Sequence, residues 1–342
     1  MRVISGLLVV AALLAGAARA QHPIIDVHVH ANLPTVNGPI PSFICVPLAP
    51  KLPAPTTAKA WPMQLMGVTR NPQCDDPIPT PETPKKMLKA VIDELVRNNA
   101  VGILSGPPGL VNEWKAAAPD RFIKSLQLNV MRDPYTAEQA REFFKDGGFL
   151  VLGEVSNQYI GVSPKDDKMM PYWAMAEELN IPVQIHMGSG PPGAAALYPD
   201  YRVANGNPLL LEPVLAKHPG LRISIMHMAE GFNDELIMML WTYPQLYVDI
   251  GGIMWGKGTE YFYRQLKDVV DAGFANRLMF GADAMNWPGL ISKSIEIMEG
   301  ADFLTAEQKR DIFFSNAVRF FGFDEMDIRR RALGLQPGSI SP

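Results

Sequence analysis

Short apolar runs alternate along this chain with longer segments whose apolar positions recur every three or four residues, the periods of buried strands and amphipathic helices. The first run is Ile24-Ile25-Asp26-Val27-His28-Val29-His30. The first clear helical stripe is Met87, Leu88, Val91, Ile92, Leu95 and Val96, which with a Thr83 cap and a Pro84 start predicts a helix over Pro84 to Asn98. Strands are then expected at Ala100 to Ser105, Phe122 to Leu128, Phe149 to Val155, Ile181 to His186, Leu221 to His227, Leu246 to Ile250 and Arg277 to Asp283. Between them fall helices at Leu110 to Ala118, Thr136 to Lys145, Pro171 to Leu179, Pro208 to Ala216, Asn233 to Trp241 and Glu260 to Val270, with Ala306 to Phe321 as the last long one. About eight strands, each followed by a helix, predict an α/β fold of the (β/α)8 TIM-barrel type. An open doubly wound sheet is the alternative, but no Gly-x-Gly-x-x-Gly follows the first strand.

Two stretches break the rhythm. Residues 1–20 have a basic start at Arg2, a short apolar run and a small-x-small end at Ala18-Arg19-Ala20, which predicts a signal peptide cut after Ala20 and a secreted or periplasmic protein. Residues 21–342 then form a single domain. The stretch 31–84 is dense in proline and holds the only two cysteines, Cys45 and Cys74; it reads as a long loop inserted after the first strand, a lid or binding loop. In an oxidising compartment the two cysteines are expected to pair, for roughly 3–4 kcal/mol on the chain-entropy argument.

Composition narrows the partners. With 19% charged residues, a net charge of −4 and no basic cluster, the chain has no electrostatic footprint for nucleic acid or for an anionic membrane, and a small-molecule substrate is expected.

The candidate chemistry sits at strand ends. Residues i and i+2 of a strand share a face, so His28 and His30 leave the first strand together. Glu154 ends the fourth, His186 the fifth, His227 the sixth and Asp283 the eighth. Four of the six histidines thus fall on the rim where parallel barrels carry their active sites. His22 and His218 have ordinary explanations, beside the cleavage site and at a helix end. Imidazoles with a carboxylate suit Zn2+, one or two ions, with Mn2+ possible, and such a site lowers the pKa of a bound water to about 7. Gln158 and Tyr159, Trp255, and Asn286 and Trp287 follow strands on the same rim and are expected to line the substrate pocket.

The strand motifs Ile25-Asp26-Val27-His28-Val29-His30, Ile181-Pro182-Val183-Gln184-Ile185-His186, Ile225-Met226-His227 and Met279-Phe280-Gly281-Ala282-Asp283, with the closing Phe313-Phe314-Ser315-Asn316-Ala317-Val318-Arg319-Phe320-Phe321-Gly322, resemble the amidohydrolase superfamily, in the branch that also contains aminocarboxymuconate-semialdehyde decarboxylase. The resemblance implies one of two sites. In a mononuclear site His28, His30, His186 and Asp283 hold the ion and His227 contacts the water or a substrate oxygen. In a binuclear site Glu154 bridges, and His186 and His227 hold the second ion; Gly153-Glu154 is similar to the fourth-strand glutamate of the metal-dependent deoxyribonuclease branch. In both, Asp283 takes the water's proton. The expected activity is hydrolysis of an ester, lactone or amide by metal-bound hydroxide, with non-oxidative decarboxylation in the same branch as the alternative and metal binding without catalysis as a third reading.

Overall fold

The computed structural model describes residues 22–55, 57–129 and 135–336; the expected signal peptide lies outside them. Eight parallel strands are joined in chain order: β1 (Ile24–His30), β2 (Ala100–Ser105), β3 (Phe122–Leu128), β4 (Val151–Val155), β5 (Val183–Ile185), β6 (Ile223–Ile225), β7 (Leu246–Asp249) and β8 (Leu278–Met279). The eighth is short because the chain leaves regular pairing at Phe280. It still closes the barrel: Val27 N donates to Phe280 O at 2.9 Å and Asp283 N to His28 O at 3.0 Å. The fold is therefore the (β/α)8 barrel expected from the alternation. All seven residues of β1 are buried, as for a parallel strand covered on both faces.

The helices stand close to their expected places, with differences that have local causes. The Pro208 helix begins as a 3-10 turn (Pro208–Leu211) before the α-helix Glu212–Lys217. The last long helix is three segments, Ala306–Arg310, a π turn at Asp311–Ser315, and Asn316–Phe321. Leu290–Glu299 is an additional helix whose start has no side-chain cap, so it lacks the usual sequence signal. Among the described residues no helix is long and apolar enough to cross a membrane.

The stretch 31–84 is more than a loop. It contains the helix Trp61–Arg70 and a two-stranded ladder pairing Phe43–Ile44 with Ile78–Pro79, and Cys45 and Cys74 form a disulfide across it. Several hydrogen bonds seat it on the barrel, among them Leu48 N to Trp255 O at 3.0 Å beyond β7. Trp61 Nε1 donates to Pro192 O at 2.8 Å beyond β5, and Asn286 Nδ2 donates to Pro34 O at 2.9 Å beyond β8. Gly193 is required at the Trp61 contact, where a Cβ would lie 1.9 Å from the indole nitrogen. This cap thus spans from one side of the rim to the other.

Candidate metal centre

Strict alternation would not bring His28 and His30 into the barrel. Ile25 and Val27 pack in the inner cluster, with Val101, Ile103, Ile123 and Met279, so Val29 should follow them inward. It packs instead in the outer cluster with Ile24 and Leu95. The register shift between Asp26 and Val29 supplies the missing residue, and the even-numbered His28 and His30 take the inner face beyond it. The same device recurs on β4. Val151 is inner, Leu152 and Val155 are outer, and a shift between Leu152 and Val155 aims Glu154 inward. Ser105 fixes the result, its hydroxyl donating to Gly153 O and accepting from Glu154 N, both at 2.8 Å.

Two further ligand-type residues are held by unusual backbone. His227 (φ 53°) and Asp283 (φ 51°) both lie in the left-handed region, where non-glycine residues cost about 1–3 kcal/mol each and persist only when the surroundings impose them. His227 Nδ1 donates to Gly251 O at 3.0 Å, which leaves Nε2 as the nitrogen facing the interior.

These residues form two overlapping triads, His28–His30–Asp283 and His28–Glu154–His227. In the first, His28 Nε2 and His30 Nε2 are 3.1 Å apart, and Asp283 Oδ1 is 3.5 Å and 3.2 Å from them. Ligands on a tetrahedral ion with ~2.05 Å bonds stand about 3.3 Å apart, so a single small cation fits this face. Glu154 Oε2 lies 3.9 Å from His28 Nε2 and 3.7 Å from His30 Nε2, while its Oε1 is 3.6 Å from His227 Nε2. The carboxylate therefore faces His227 of its own triad with one oxygen and His30 of the other triad with the second. Asp283 Oδ1 and His227 Nε2 are buried without a hydrogen-bond partner. Buried polar atoms in that condition are costly, and a cation is the partner their chemistry fits.

The charges within the cluster favour the ligand forms of the carboxylates. Burial opposes ionisation of Glu154, but the imidazoles of His227 and His28 hold it well below the usual carboxylate range. Burial likewise opposes Asp283, whose pKa is lowered by His28. His28 is raised well above the imidazole range, burial being outweighed by Asp283 and Asp249.

His186 differs. Burial, then the neighbouring His227, push it down to about 3, so it is neutral. Its ring centroid is 4.6 Å from that of His227, but both nitrogens are engaged: Nδ1 with Gln158 Oε1 and Nε2 with the Tyr159 hydroxyl, each at 3.0 Å. Gln158 Nε2 donates to Gly188 O at 2.8 Å, which turns its carbonyl toward His186 and puts the imidazole proton on Nδ1. The four-ligand grouping of His28, His30, His186 and Asp283 is thus assembled at three of its members, with His186 beside it.

Of the residues expected to line a pocket, Tyr159 stands at the site through His186, and Gln158 supports that histidine from behind. Trp255 Nε1 donates to Ala282 O at 2.9 Å, and Asn286 spends its amide on Pro34 O, Thr80 Oγ1 and Asn37 Nδ2, so both bind protein groups. Trp287 is buried with its indole N–H unpartnered. Sequence reasoning missed Asp249, fully buried at the end of β7 with Oδ2 2.6 Å from His28 Nδ1. The signal was present, because a carboxylate ending an apolar strand is what singled out Glu154. It also missed Ser105, which nothing in its strand distinguishes.

The amidohydrolase family model matches residues 25–323. The chain belongs to the amidohydrolase family. Its relatives include a gamma-resorcylate decarboxylase of Rhodococcus jostii strain RHA1, 26% identical over an alignment of 275 residues, with 67% of this chain and 79% of that one covered. A structure of a 2-pyrone-4,6-dicarboxylic acid hydrolase candidate from Acinetobacter baumannii, with citric acid bound, superposes with a TM-score of 0.55 at 14% identity, covering 88% of this chain and 99% of that one. A 2,6-dihydroxybenzoate decarboxylase in complex with 2,6-dihydroxybenzoate superposes with a TM-score of 0.51 at 16% identity, over 88% and 100% of the two chains. The structural likenesses concern the fold. This amidohydrolase is an enzyme, with a decarboxylase among its relatives.

Proposed function

We propose that this amidohydrolase is a divalent-metal-dependent hydrolase of an ester, lactone or amide bond in a small molecule. The observation that carries the reading is the environment of Asp283, an ionised carboxylate within 3.5 Å of His28 Nε2 and His30 Nε2 whose Oδ1 has no hydrogen-bond partner. His28, His30 and Asp283 would hold the ion, with Glu154 and His227 able to extend the site. Zn2+, or Mn2+ in its place, supplies Lewis acidity toward a substrate oxygen and acidifies water. Asp283 then accepts the proton of the attacking water and returns it to the leaving group. The Tyr159 hydroxyl, whose proton goes to His186 Nε2, would present its oxygen to a substrate donor.

The test is a panel of lactones, esters, amides and aromatic or muconate-type acids, read for hydrolysis and for CO2 with Zn2+- and Mn2+-loaded protein. Hydrolysis is expected, and Asp283→Asn is expected to lower kcat by about 10^2 to 10^4, the range of a lost proton transfer. Release of CO2 without hydrolysis would transfer the assignment to decarboxylation, the reading favoured by the gamma-resorcylate decarboxylase relative.

The Cys45–Cys74 bond supports a place outside the reducing cytoplasm. We infer that the protein is exported with cleavage after Ala20, so intact mass of periplasmic protein should begin at Gln21. A cytoplasmic product that retains residues 1–20 would overturn this.

A further inference from the structure

The end of β7 carries a group that the proposed reaction does not use. Asp249 is fully buried, and both its oxygens are committed. Oδ2 lies 2.6 Å from His28 Nδ1, and Oδ1 accepts from Gly251 N at 2.8 Å. The carbonyl of that same Gly251 accepts from His227 Nδ1 at 3.0 Å. One carboxylate therefore reaches two imidazoles from different strands, His28 on β1 directly and His227 beyond β6 through the single residue Gly251.

Space for this carboxylate has been left on two sides. A Cβ on Gly281 would lie 2.1 Å from Asp249 Oδ1 and 2.8 Å from His28 Cβ, and one on Gly251 would lie 3.0 Å from His28 Nδ1 and 3.1 Å from Asp249 Oδ1. Neither glycine has positive φ, so what they contribute is room rather than backbone freedom.

We propose that Asp249 is a positioning residue for the metal centre, fixing a proton on Nδ1 of both His28 and His227 and so presenting Nε2 of each to the cation. A carboxylate offers acceptors on both oxygens. Asparagine offers one, and its amide must face either the His28 Nδ1–H or the Gly251 N–H as a second donor. In the first case His28 loses the partner that defines its ligating nitrogen; in the second Gly251, whose carbonyl holds His227, loses the anchor at its own N–H. Groups that orient a ligating histidine in this way are typically worth 10–100-fold in metal affinity.

The inference rests on the metal reading above, and the experiment separates the two. Protein labelled with 15N in its histidine rings is examined by NMR with and without Zn2+, and Zn2+ affinity is measured by competition with a chromophoric chelator. In the wild type, Nδ1 of His28 and of His227 is expected to be protonated in both forms. Asp249→Asn is expected to remove the hydrogen-bonded Nδ1–H signal of at least one of them and to weaken Zn2+ binding by about 10–100-fold. Gly281→Ala, which alters no polar group but occupies the room beside the carboxylate, should change both readouts in the same direction. A folded Asp249→Asn protein with wild-type ring spectra and Zn2+ affinity overturns the proposal, as does a wild-type His28 whose Nδ1 carries no proton. If the wild type takes up no divalent ion, the metal reading falls and the ring spectra alone decide the role of Asp249. If Asp249→Asn does not fold, the wild-type spectra and Gly281→Ala decide it.

Discussion

The two sides of the barrel mouth carry histidines of opposite character. On the β1 and β8 side, His28 and His30 turn Nε2 toward each other and toward Asp283 Oδ1, and no protein donor satisfies that oxygen. On the β5 side, His186 has a protein partner at each nitrogen and is neutral. Both sets are buried at the same end of the same barrel, so neither depth nor residue type separates them. What separates them is whether the local hydrogen bonds leave buried polar atoms unpartnered, as they do at Asp283 Oδ1 and His227 Nε2. A ligating cluster is one in which partners satisfy the distal nitrogens, as Asp249 and Gly251 O do for His28 and His227, and leave the proximal ones to the cation.

The strongest way to break this comparison is to remove the unspent side. His28→Ala or His30→Ala leaves the first triad with two ligands, and we predict that metal retention and turnover disappear together. Metal per folded chain and rate are the measurements; a His30→Ala protein with its full metal content and rate would show that the cluster is not the site.

Glu154 tests whether the two triads act as one site or two. Its oxygens face different triads, and a carboxylate between two cations would offset their repulsion. Glu154→Gln is predicted to reduce the metal content from about two ions per chain to one or none, since a bridge requires the ionised form. A wild-type protein that retains only one ion after removal of excess Zn2+ or Mn2+ refutes the bridging role and leaves Glu154 as a neighbour of a single ion.

The barrel was legible in the sequence because parallel strands buried on both faces are continuous apolar runs and the intervening helices keep their period. That the two first-strand histidines share a face followed from the strand period alone. Which face they share did not, because it depends on the shift between Asp26 and Val29, and a one-residue irregularity leaves no mark in an apolar strand. The cap was opaque for a different reason. Helix Trp61–Arg70 has Pro62 and Gly67 in its span and no side-chain cap at its start, and it is held by the Trp61–Pro192 contact and by the disulfide, both long-range. His186 was readable as a rim histidine, but its state is set by Gln158, whose orientation depends in turn on Gly188 O. Asp249 alone was within reach, since the signature that identified Glu154 also marks it.

The smallest predicted effect sharpens the contrast from the satisfied side. The Tyr159 hydroxyl is the group that occupies His186 Nε2, at 3.0 Å, and its ring packs edge-on against Tyr198 and Tyr201. Tyr159→Phe keeps that packing and removes one hydrogen bond, a change worth about 0.5–1.5 kcal/mol, or roughly two- to tenfold in a rate or binding constant. If His186 Nε2 belongs to the substrate side of the mouth, the loss falls on kcat/KM, while metal content per chain and Zn2+ affinity stay at wild-type values. If His186 is instead a ligand whose nitrogen the tyrosine competes for, freeing it should tighten Zn2+ binding. The sign of the change in affinity therefore places His186 on one side of the comparison or the other, independently of the substrate used to measure the rate.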